Sequence, residues 1–271
     1  MPSPKRKPQT VLEVLERREL TPHMVRLVLG GEGFSSFEDN GCTDQYVKLV
    51  FAKPELNLTA PFDMMELRET LPPEDVPVTR TYTVRSVDHE AGRLTIDFVT
   101  HGTEGLAAPW AASASPGDPL LLMGPGGKYS PDPTADWHLF AGDASALPAI
   151  ASGIEALPSD ARGYAFIVLD DDEDRQDITA PEGLEIVWHA KEGAGADPNR
   201  LATLMTEREW PEGKVDVFAH GERESIKQVR RLLKEREIPR EQISISGYWA
   251  YGRTEDRFQA EKREPIGKIE D

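Results

Sequence analysis

A strand begins at Arg80-Thr81-Tyr82-Thr83-Val84-Arg85, directly after a proline-rich approach. Alternate side chains of a strand face the same way, so Arg80, Tyr82 and Val84 share one side. A cation, an aromatic ring and a hydroxyl so close together could hold a phosphate, cover a flat ring and donate a hydrogen bond. A flavin dinucleotide requires these three contacts. A half-exposed strand of good strand formers explains the same residues equally well.

The surrounding sequence carries a family resemblance. The stretch Val78-Thr79-Arg80-Thr81-Tyr82-Thr83-Val84-Arg85 resembles the Arg-x-Tyr-Thr flavin signature of ferredoxin-reductase-like flavoproteins. More narrowly, it resembles the siderophore-interacting proteins, which are flavin-dependent ferric-siderophore reductases. Three later stretches agree in the expected order: Asp97-Phe98-Val99-Thr100-His101-Gly102, Gly142-Asp143-Ala144-Ser145-Ala146-Leu147-Pro148-Ala149-Ile150 and Gly247-Tyr248-Trp249-Ala250-Tyr251-Gly252-Arg253-Thr254-Glu255-Asp256. The resemblance covers nearly the whole chain.

Charge and cysteine content restrict the partners and the chemistry. The 271 residues include 31 basic and 48 acidic ones, which gives a net charge of -17. Such a surface repels DNA, RNA and anionic membranes, so we expect no nucleic-acid partner and no membrane insertion. The single cysteine, Cys42, excludes an internal disulfide and a cysteine-based zinc or iron–sulfur site. We expect no metal site in the protein.

The N-terminal segment and the hydropathy predict a cytoplasmic protein. Basic residues between Pro4 and Pro8 lead into Val11–Arg17, where glutamates interrupt the apolar run. This segment therefore cannot serve as the core of a signal peptide. No stretch approaches the roughly 20 apolar residues that a membrane span needs.

Short alternating strands predict a β-domain over residues 1–130. Apolar and polar residues alternate at Val25–Leu29 and at Leu94–Phe98, and Gly, Pro and Asp turns separate the strands. The pattern is typical of an antiparallel barrel or sandwich, and the resemblance implies an FAD-binding barrel. We expect a short helix around 64–69, and we expect the glycines at 124–127 to break the last strand.

The second half has the pattern of an α/β domain, which we place at residues 131–247. Nearly continuous apolar runs occur at 137–141, 164–169, 184–188, 215–219 and 243–246, with helical segments at 144–156, 197–208 and 222–236. Buried strands that alternate with helices predict a parallel sheet. Asp197 is the expected N-cap of the second helix. Residues 248–271 read as a polar tail, which the resemblance returns toward the flavin.

A short helix is expected at Gly105–Ala112. Unpaired backbone N–H groups at a helix start can cradle a phosphate. An ordinary connecting helix explains the same residues, and only the resemblance favours a role with the flavin pyrophosphate.

The resemblance also implies individual roles. Arg80 pairs with the pyrophosphate, Tyr82 packs on the isoalloxazine, and Thr83 hydrogen-bonds near its reactive nitrogen. His101 lies along the flavin without acid–base work. The complete set assigned to the cofactors lies in the quoted stretches and the short helix: Arg80, Thr81, Tyr82, Thr83, Asp97, Phe98, Val99, His101, Gly102, Gly105, Ala107, Ala108, Trp110, Asp143, Ser145, Ala146 and Trp249.

The donor nucleotide is less well specified than the flavin. Asp143 and Ser145 follow an apolar strand at the edge where α/β sheets bind ligands, although plain N-capping explains them too. Gly142 has no second glycine close by, unlike the richer loop of ferredoxin reductases. The acidic run Asp170–Asp174 is typical of a solvated loop. If it lies near a ribose, it disfavours a 2′-phosphate and favours NADH over NADPH.

The expected substrate mouth departs from the family. Members often read Tyr-Trp-Arg-Arg-Gly-Arg where this chain has Ala250-Tyr251 before Gly252-Arg253. Because a net-negative protein repels an anionic chelate, basic residues are needed locally. Lys48, Arg85 and Arg253 are the candidates for substrate binding.

The resemblance implies a two-domain flavoprotein, with an FAD-binding barrel followed by an α/β domain for the electron donor. NADH or NADPH, or alternatively reduced ferredoxin, would supply electrons that reduce Fe(III) in a siderophore, and no protein acid or base is obligatory. Two alternatives stay open: a general ferredoxin or flavodoxin reductase, and a siderophore-binding flavoprotein without turnover.

Overall fold

The computed structural model describes residues 8–100, 105–191 and 197–269. His101 and Gly102, both assigned to the cofactor from the sequence, lie outside these residues. The chain divides into two compact units, Met1–Lys128 and Tyr129–Asp271. We call them the barrel unit and the α/β unit.

The barrel unit is a closed antiparallel barrel of six strands in the order β1-β2-β5-β4-β3-β6. The strands are β1 (Gln9–Thr21), β2 (Met24–Gly30), β3 (Tyr46–Phe51), β4 (Val78–Asp88), β5 (Arg93–Val99) and β6 (Pro119–Gly126). The alternating apolar residues of β2 and β5, among them Leu27 and Ile96, are fully buried. Strand alternation thus buries one face inside the barrel, and the predicted antiparallel barrel is confirmed.

Two short helices complete this unit, α1 (Met64–Thr70) and α2 (Ala107–Ser113). The side chain of Asp63 caps α1 by accepting from the N–H groups of Met65 and Glu66. Both helices lie where the sequence predicted them.

The break expected at residues 124–127 was wrong, because β6 continues to Gly126 and pairs there with Tyr46 of β3. A Cβ at Gly126 would lie 2.4 Å from a ring carbon of Tyr46. The glycine therefore permits a close approach of the two strands rather than ending one.

The α/β unit contains a five-stranded parallel sheet in the order β11-β10-β7-β8-β9. Its elements are β7 (Trp137–Asp143), α3 (Leu147–Glu155), β8 (Arg162–Leu169), β9 (Gly183–Ala190), α4 (Arg200–Thr206), β10 (Val215–Glu222), α5 (Arg223–Glu235), β11 (Ile243–Trp249) and α6 (Glu255–Glu261). Two separate clusters of buried side chains flank the sheet, one with α3 and one with α4 and α5. The predicted α/β fold is confirmed.

The expected N-cap at Asp197 was wrong. Helix α4 begins at Arg200, and its N-cap is Asn199, which makes no side-chain capping bond. Asp197 accepts from the backbone N–H of Asn199 before the helix starts. An Asp side chain binds the N–H two residues later in a turn as readily as in a cap.

The segment expected to be a polar tail is ordered in the part that contains α6. Thr254 caps this helix through the N–H of Arg257, and Phe258 is buried to 1% exposure. Glu261 is also buried and accepts from Arg223 of α5 at 2.7 Å, from Arg253 at 2.8 Å and from Arg257 at 3.0 Å. Phe258 and Glu261 thus anchor this mostly polar segment to the α/β unit.

We expect Glu261 to make the stability of the α/β unit sensitive to acid. Hydrogen bonds from Arg223 lower the pKa of Glu261 from 4.5 to about 2. A lowered native pKa adds stability above the unfolded value, and this stability is lost as the pH falls from about 4.5 toward 2. Denaturant midpoints should show that Glu261→Gln is less stable than the parent at pH 6, with a difference that shrinks by pH 3. Glu255→Gln, a half-buried position on the same helix whose carboxylate accepts from the neutral side chain of Gln259, should show no such trend. A Glu261→Gln difference that does not change with pH would contradict the assignment.

No helix in the three described ranges is long and apolar enough to cross a membrane.

Candidate functional site

The flavin signature lies on β4 with its aromatic ring backed by the core. The half-buried Tyr82 ring lies 4.4 Å from the ring of Phe98, centroid to centroid. Phe98 is fully buried, and Trp110 of α2 packs on it at 6.1 Å. Because the rings beneath it fix Tyr82, this residue presents a rigid aromatic surface.

The neighbours of Tyr82 supply polar groups of different exposure. Arg80 is half-buried and donates from Nη1 to the backbone oxygen of Thr79 at 2.9 Å. Thr81 is exposed, whereas Thr83 is buried to 8% exposure beside the buried Val84. Simple alternation did not predict burial of both Thr83 and Val84.

These groups fit a flavin dinucleotide. Within a few residues, β4 offers a guanidinium for a phosphate, a backed aromatic face for a flat ring and a hydroxyl for a hydrogen bond. At the start of α2, Gly105 has a φ of +88° and open space around its Cα, and the N-cap residue Leu106 makes no side-chain capping bond. Ala107 is buried, while Ala108 is only partly buried.

Asp97 has a partner that the sequence did not reveal. Its carboxylate accepts two bonds from Arg26 of β2, Nε to Oδ1 at 2.6 Å and Nη2 to Oδ2 at 2.7 Å. The Asp97 side chain is 1% exposed, and the two residues face each other across the strand pair. Asp97 is therefore engaged within the barrel, while Val99 remains half-buried at the end of β5.

Two of the three substrate candidates lie on the barrel. Lys48 of β3 faces Thr81 of β4 in the strand register, and both Lys48 and Arg85 are half-buried. Arg253 belongs to the α/β unit, where its Nε donates to Glu261. Its guanidinium therefore already holds α6.

Asp143 joins three strand ends at the carboxyl edge of the parallel sheet. Its Oδ1 accepts from the N–H and hydroxyl of Ser145, at 2.9 and 2.5 Å. Its Oδ2 accepts from the N–H of Glu222 at 2.7 Å and from Nε1 of Trp249 at 2.9 Å. Ser145 and the buried Ala146 precede α3, which has no side-chain cap. Asp143 is therefore not the N-cap that the sequence offered as an alternative; it orients Trp249.

Glu222 is a second carboxylate at this edge and, unlike the half-buried Asp143, it is buried; the sequence reading missed it. Its Oε2 accepts from the N–H of Ser225 and caps α5, and its Oε1 accepts from the N–H of Tyr251. The sequence did contain a signal for this role: Glu222 lies between an apolar run and a helical pattern, which is where an N-cap residue is expected.

A buried imidazole borders the same edge. The ring of His220 stacks on Phe218 with 4.0 Å between centroids, and its Nε2 lies 3.0 Å from the hydroxyl of Ser244. Burial lowers the pKa of His220 to about 3. The side chain is therefore neutral at physiological pH.

A cavity of about 190 Å³ opens among these strand ends. Its lining includes four residues from the ends of β7, β10 and β11 and the turn that follows: Asp143, Glu222, Trp249 and Tyr251. It also includes Lys191, which directly follows β9, and Arg200 at the start of α4. Tyr251 is 62% exposed. The cavity thus combines aromatic surface with two cations, at the edge where α/β sheets bind ligands.

The carboxylates of the acidic run Asp170–Asp174, which follows β8, contact different partners. Asp170 accepts from Lys191 at 2.5 Å, Asp172 accepts from Arg175, and Asp171 caps its own turn through the N–H of Glu173. Asp174 is buried. The run is therefore not the uniformly solvated loop that its composition suggested.

Comparison with known proteins identifies the family. The profile described as "Siderophore-interacting FAD-binding domain" matches residues 13–129, and the profile "Siderophore-interacting protein" matches residues 135–252. The chain belongs to the siderophore-interacting protein family. Its first unit is thus an FAD-binding domain of this family, as the β4 signature indicated.

Named relatives and solved structures agree with this assignment. The chain is 35% identical over 260 residues to the ferric vibriobactin reductase ViuB of Vibrio cholerae, covering 93% of each chain. It is 29% identical over 255 residues to an NADPH-dependent ferric-chelate reductase of Escherichia coli, covering 90% of this chain and 97% of that one. A crystal structure of a siderophore utilization protein from T. fusca superposes with a TM-score of 0.79 at 36% identity, covering 92% of this chain and 96% of that one.

Proposed function

We propose that this siderophore-interacting protein is an FAD-dependent reductase that takes electrons from NADPH or NADH and reduces the Fe(III) of a ferric siderophore to Fe(II). The observation that carries the proposal is the β4 signature, in which Tyr82 rests on Phe98 beside Arg80. Relatives that are named as ferric vibriobactin reductase and ferric-chelate reductase support the reaction type.

When bound, FAD supplies the redox chemistry, since it can accept a hydride and give up single electrons. The chain's own residues bind and orient: Arg80 holds a phosphate, Tyr82 covers the ring with Phe98 and Trp110 packed behind it, and Thr81 and Thr83 supply hydroxyl groups. His101, Gly102 and Val99 stay predicted contacts of the cofactor.

The substrate requires little chemistry from the protein. Hard oxygen ligands hold Fe(II) far less tightly than Fe(III), so reduction releases the metal without a protein ligand to it. We assign attraction of an anionic chelate to Lys48 and Arg85 on the barrel. Arg253 contributes less, because Glu261 already engages its guanidinium.

An anaerobic visible titration tests the proposal. The purified protein is loaded with FAD and treated in turn with NADPH, NADH and a ferric catecholate chelate. The flavin bands should bleach with a nucleotide and return when the chelate is added. Bleaching without return would contradict ferric reduction. If neither nucleotide bleaches the flavin bands but reduced ferredoxin does, ferredoxin replaces the nucleotide as the electron donor. Failure to bind FAD would overturn the proposal.

We expect Arg80→Ala to weaken FAD binding about tenfold to a hundredfold. A charged hydrogen bond to phosphate contributes about 1.5–3 kcal/mol, which corresponds to this range. The measurement is the dissociation constant for FAD, from quenching of flavin fluorescence in the apoprotein. The control is Arg93→Ala, because Arg93 is exposed on the neighbouring strand β5 and pairs with Asp88. Equal losses in the two variants would argue for a general charge effect rather than a phosphate contact.

A further inference from the structure

The charged residues that line the cavity of the α/β unit differ in how firmly they are held. The carboxylates of Asp143 and Glu222 already accept bonds from backbone N–H groups of their own unit. Lys191 and Arg200 are instead paired with exposed acids. Lys191 contacts Asp170, and their side chains are 31% and 40% exposed. Arg200 lies 3.7 Å from Asp197, whose side chain is 55% exposed.

Exposed ion pairs of this kind are weak and exchange readily for a better partner. A phosphate dianion is a better partner for an ammonium or a guanidinium than a single solvated carboxylate is. The cations that the cavity can offer to a ligand are therefore Lys191 and Arg200, and the ligand that they favour carries a phosphate.

The position of the Lys191–Asp170 pair in the sheet indicates which phosphate group of a nucleotide these cations would bind. Asp170 directly follows β8, the second strand of the sheet in sequence, and Lys191 directly follows β9, its neighbour. In dinucleotide-binding α/β sheets, an acid about 20 residues beyond the first strand–helix turn binds the ribose 2′-hydroxyl, whereas a nearby cation accommodates a 2′-phosphate. The ion pair of Asp170 and Lys191 therefore contains both an acid that favours a ribose 2′-hydroxyl and a cation that favours a 2′-phosphate.

We propose that Lys191, with Arg200, binds the 2′-phosphate of the donor nucleotide, and that Asp170 competes with this phosphate for Lys191. The protein then prefers NADPH, and Asp170 limits the preference. This inference deepens the proposed function and rests on it, because it assumes a nucleotide donor. It reverses the preference for NADH that the acidic run alone suggested.

Trp249 provides a local signal for binding. The ammonium of Lys191 lies 6.0 Å from the centroid of the Trp249 ring, which also lines the cavity. Movement of Lys191 from Asp170 toward a phosphate therefore changes the surroundings of the indole. Tryptophan fluorescence can report occupancy independently of electron transfer.

The test measures binding of nucleotide fragments to the FAD-loaded protein by calorimetry, with tryptophan fluorescence as a second readout. The probes are adenosine 2′,5′-bisphosphate and adenosine 5′-monophosphate, which differ only in the 2′-phosphate. We expect the parent to bind the 2′-phosphorylated probe at least tenfold more tightly. Lys191→Ala should remove this preference and leave affinity for the other probe within about twofold, and Lys191→Arg should restore much of it. Asp170→Asn should widen the preference about threefold.

The control is Lys234→Ala, an exposed lysine of α5 in the same unit, which should leave both affinities unchanged. Thermal unfolding of each variant verifies that the unit is folded. A parent without preference, or a preference that survives Lys191→Ala, overturns the inference even if ferric reduction is observed. A Lys191-dependent preference in a protein that cannot reduce the ferric chelate would instead refute only the proposed function.

Discussion

Replacing Phe258 with alanine is expected to lower the free energy of unfolding of the α/β unit by about 4 kcal/mol. The side chain is 1% exposed on α6, a helix whose other positions are mostly exposed. Loss of a buried phenyl group removes its transfer free energy and leaves a cavity, which together cost about 3–5 kcal/mol. Urea unfolding of the full chain, followed by tryptophan fluorescence, measures the change, because all five tryptophans except Trp110 lie in this unit.

Phe258→Leu is the matched control, since it retains most of the apolar volume and should cost about 1.5 kcal/mol or less. Limited proteolysis adds a second readout, because loss of this anchor should expose the segment after Gly252 to cleavage. A Phe258→Ala protein as stable as the parent would mean that the packing of Phe258 contributes nothing to the stability of the unit.

The sequence predicted the fold well because the signals for it are local. Alternation over five to seven residues identified β2 and β5, and continuous apolar runs identified β7, β8 and β10. Each such pattern reports the burial of one element without reference to any partner. The Arg-x-Tyr-Thr signature on β4 was identified for the same reason, since its groups lie within a few residues.

The contacts that organise the site join residues distant in sequence. Arg26 and Asp97 are 71 positions apart, and Asp143 and Trp249 are 106 positions apart. No local pattern specifies such pairs, because they depend on strand order and register in the folded sheet. The sequence therefore indicated Asp97, Asp143 and Trp249 only as candidate cofactor contacts and did not identify the partners that the structure gives them.

The same limitation applies to the C-terminal segment. Its composition predicted a polar tail, but no local pattern indicated the buried residues of α6, because most segments of this composition bury little apolar surface. Two residues hold this segment in the α/β unit: Phe258 is buried, and Glu261 accepts hydrogen bonds from three arginines. Only the structure shows that these few residues meet buried partners.

Asp143→Ala is expected to reduce the stability of the α/β unit by about 3 kcal/mol and to release Trp249 from its fixed orientation. The carboxylate accepts four bonds, two of them from the N–H of Glu222 and the indole Nε1 of Trp249. A buried donor that loses its acceptor costs about 1–3 kcal/mol. Asp143→Asn should cost less, because the amide keeps one acceptor oxygen but turns an NH2 group toward the remaining donors. Urea unfolding measures stability, and tryptophan anisotropy measures the freedom of the indole.

Asp172→Asn is the control for the loss of a charge. Asp172 is an exposed acid of the same unit, and among the contacts described it pairs only with the exposed Arg175. This substitution should change the free energy of unfolding by less than about 0.5 kcal/mol. The Asp143 variants separate two roles for the residue. If Asp143 only orients Trp249, Trp249→Phe should reproduce their effect on nucleotide affinity, and combining the two substitutions should add little. If Asp143 contacts the bound nucleotide directly, the effects should add. Additive losses would show that the carboxylate leaves its four donors when the ligand binds, and the positioning role drawn from these contacts would be wrong.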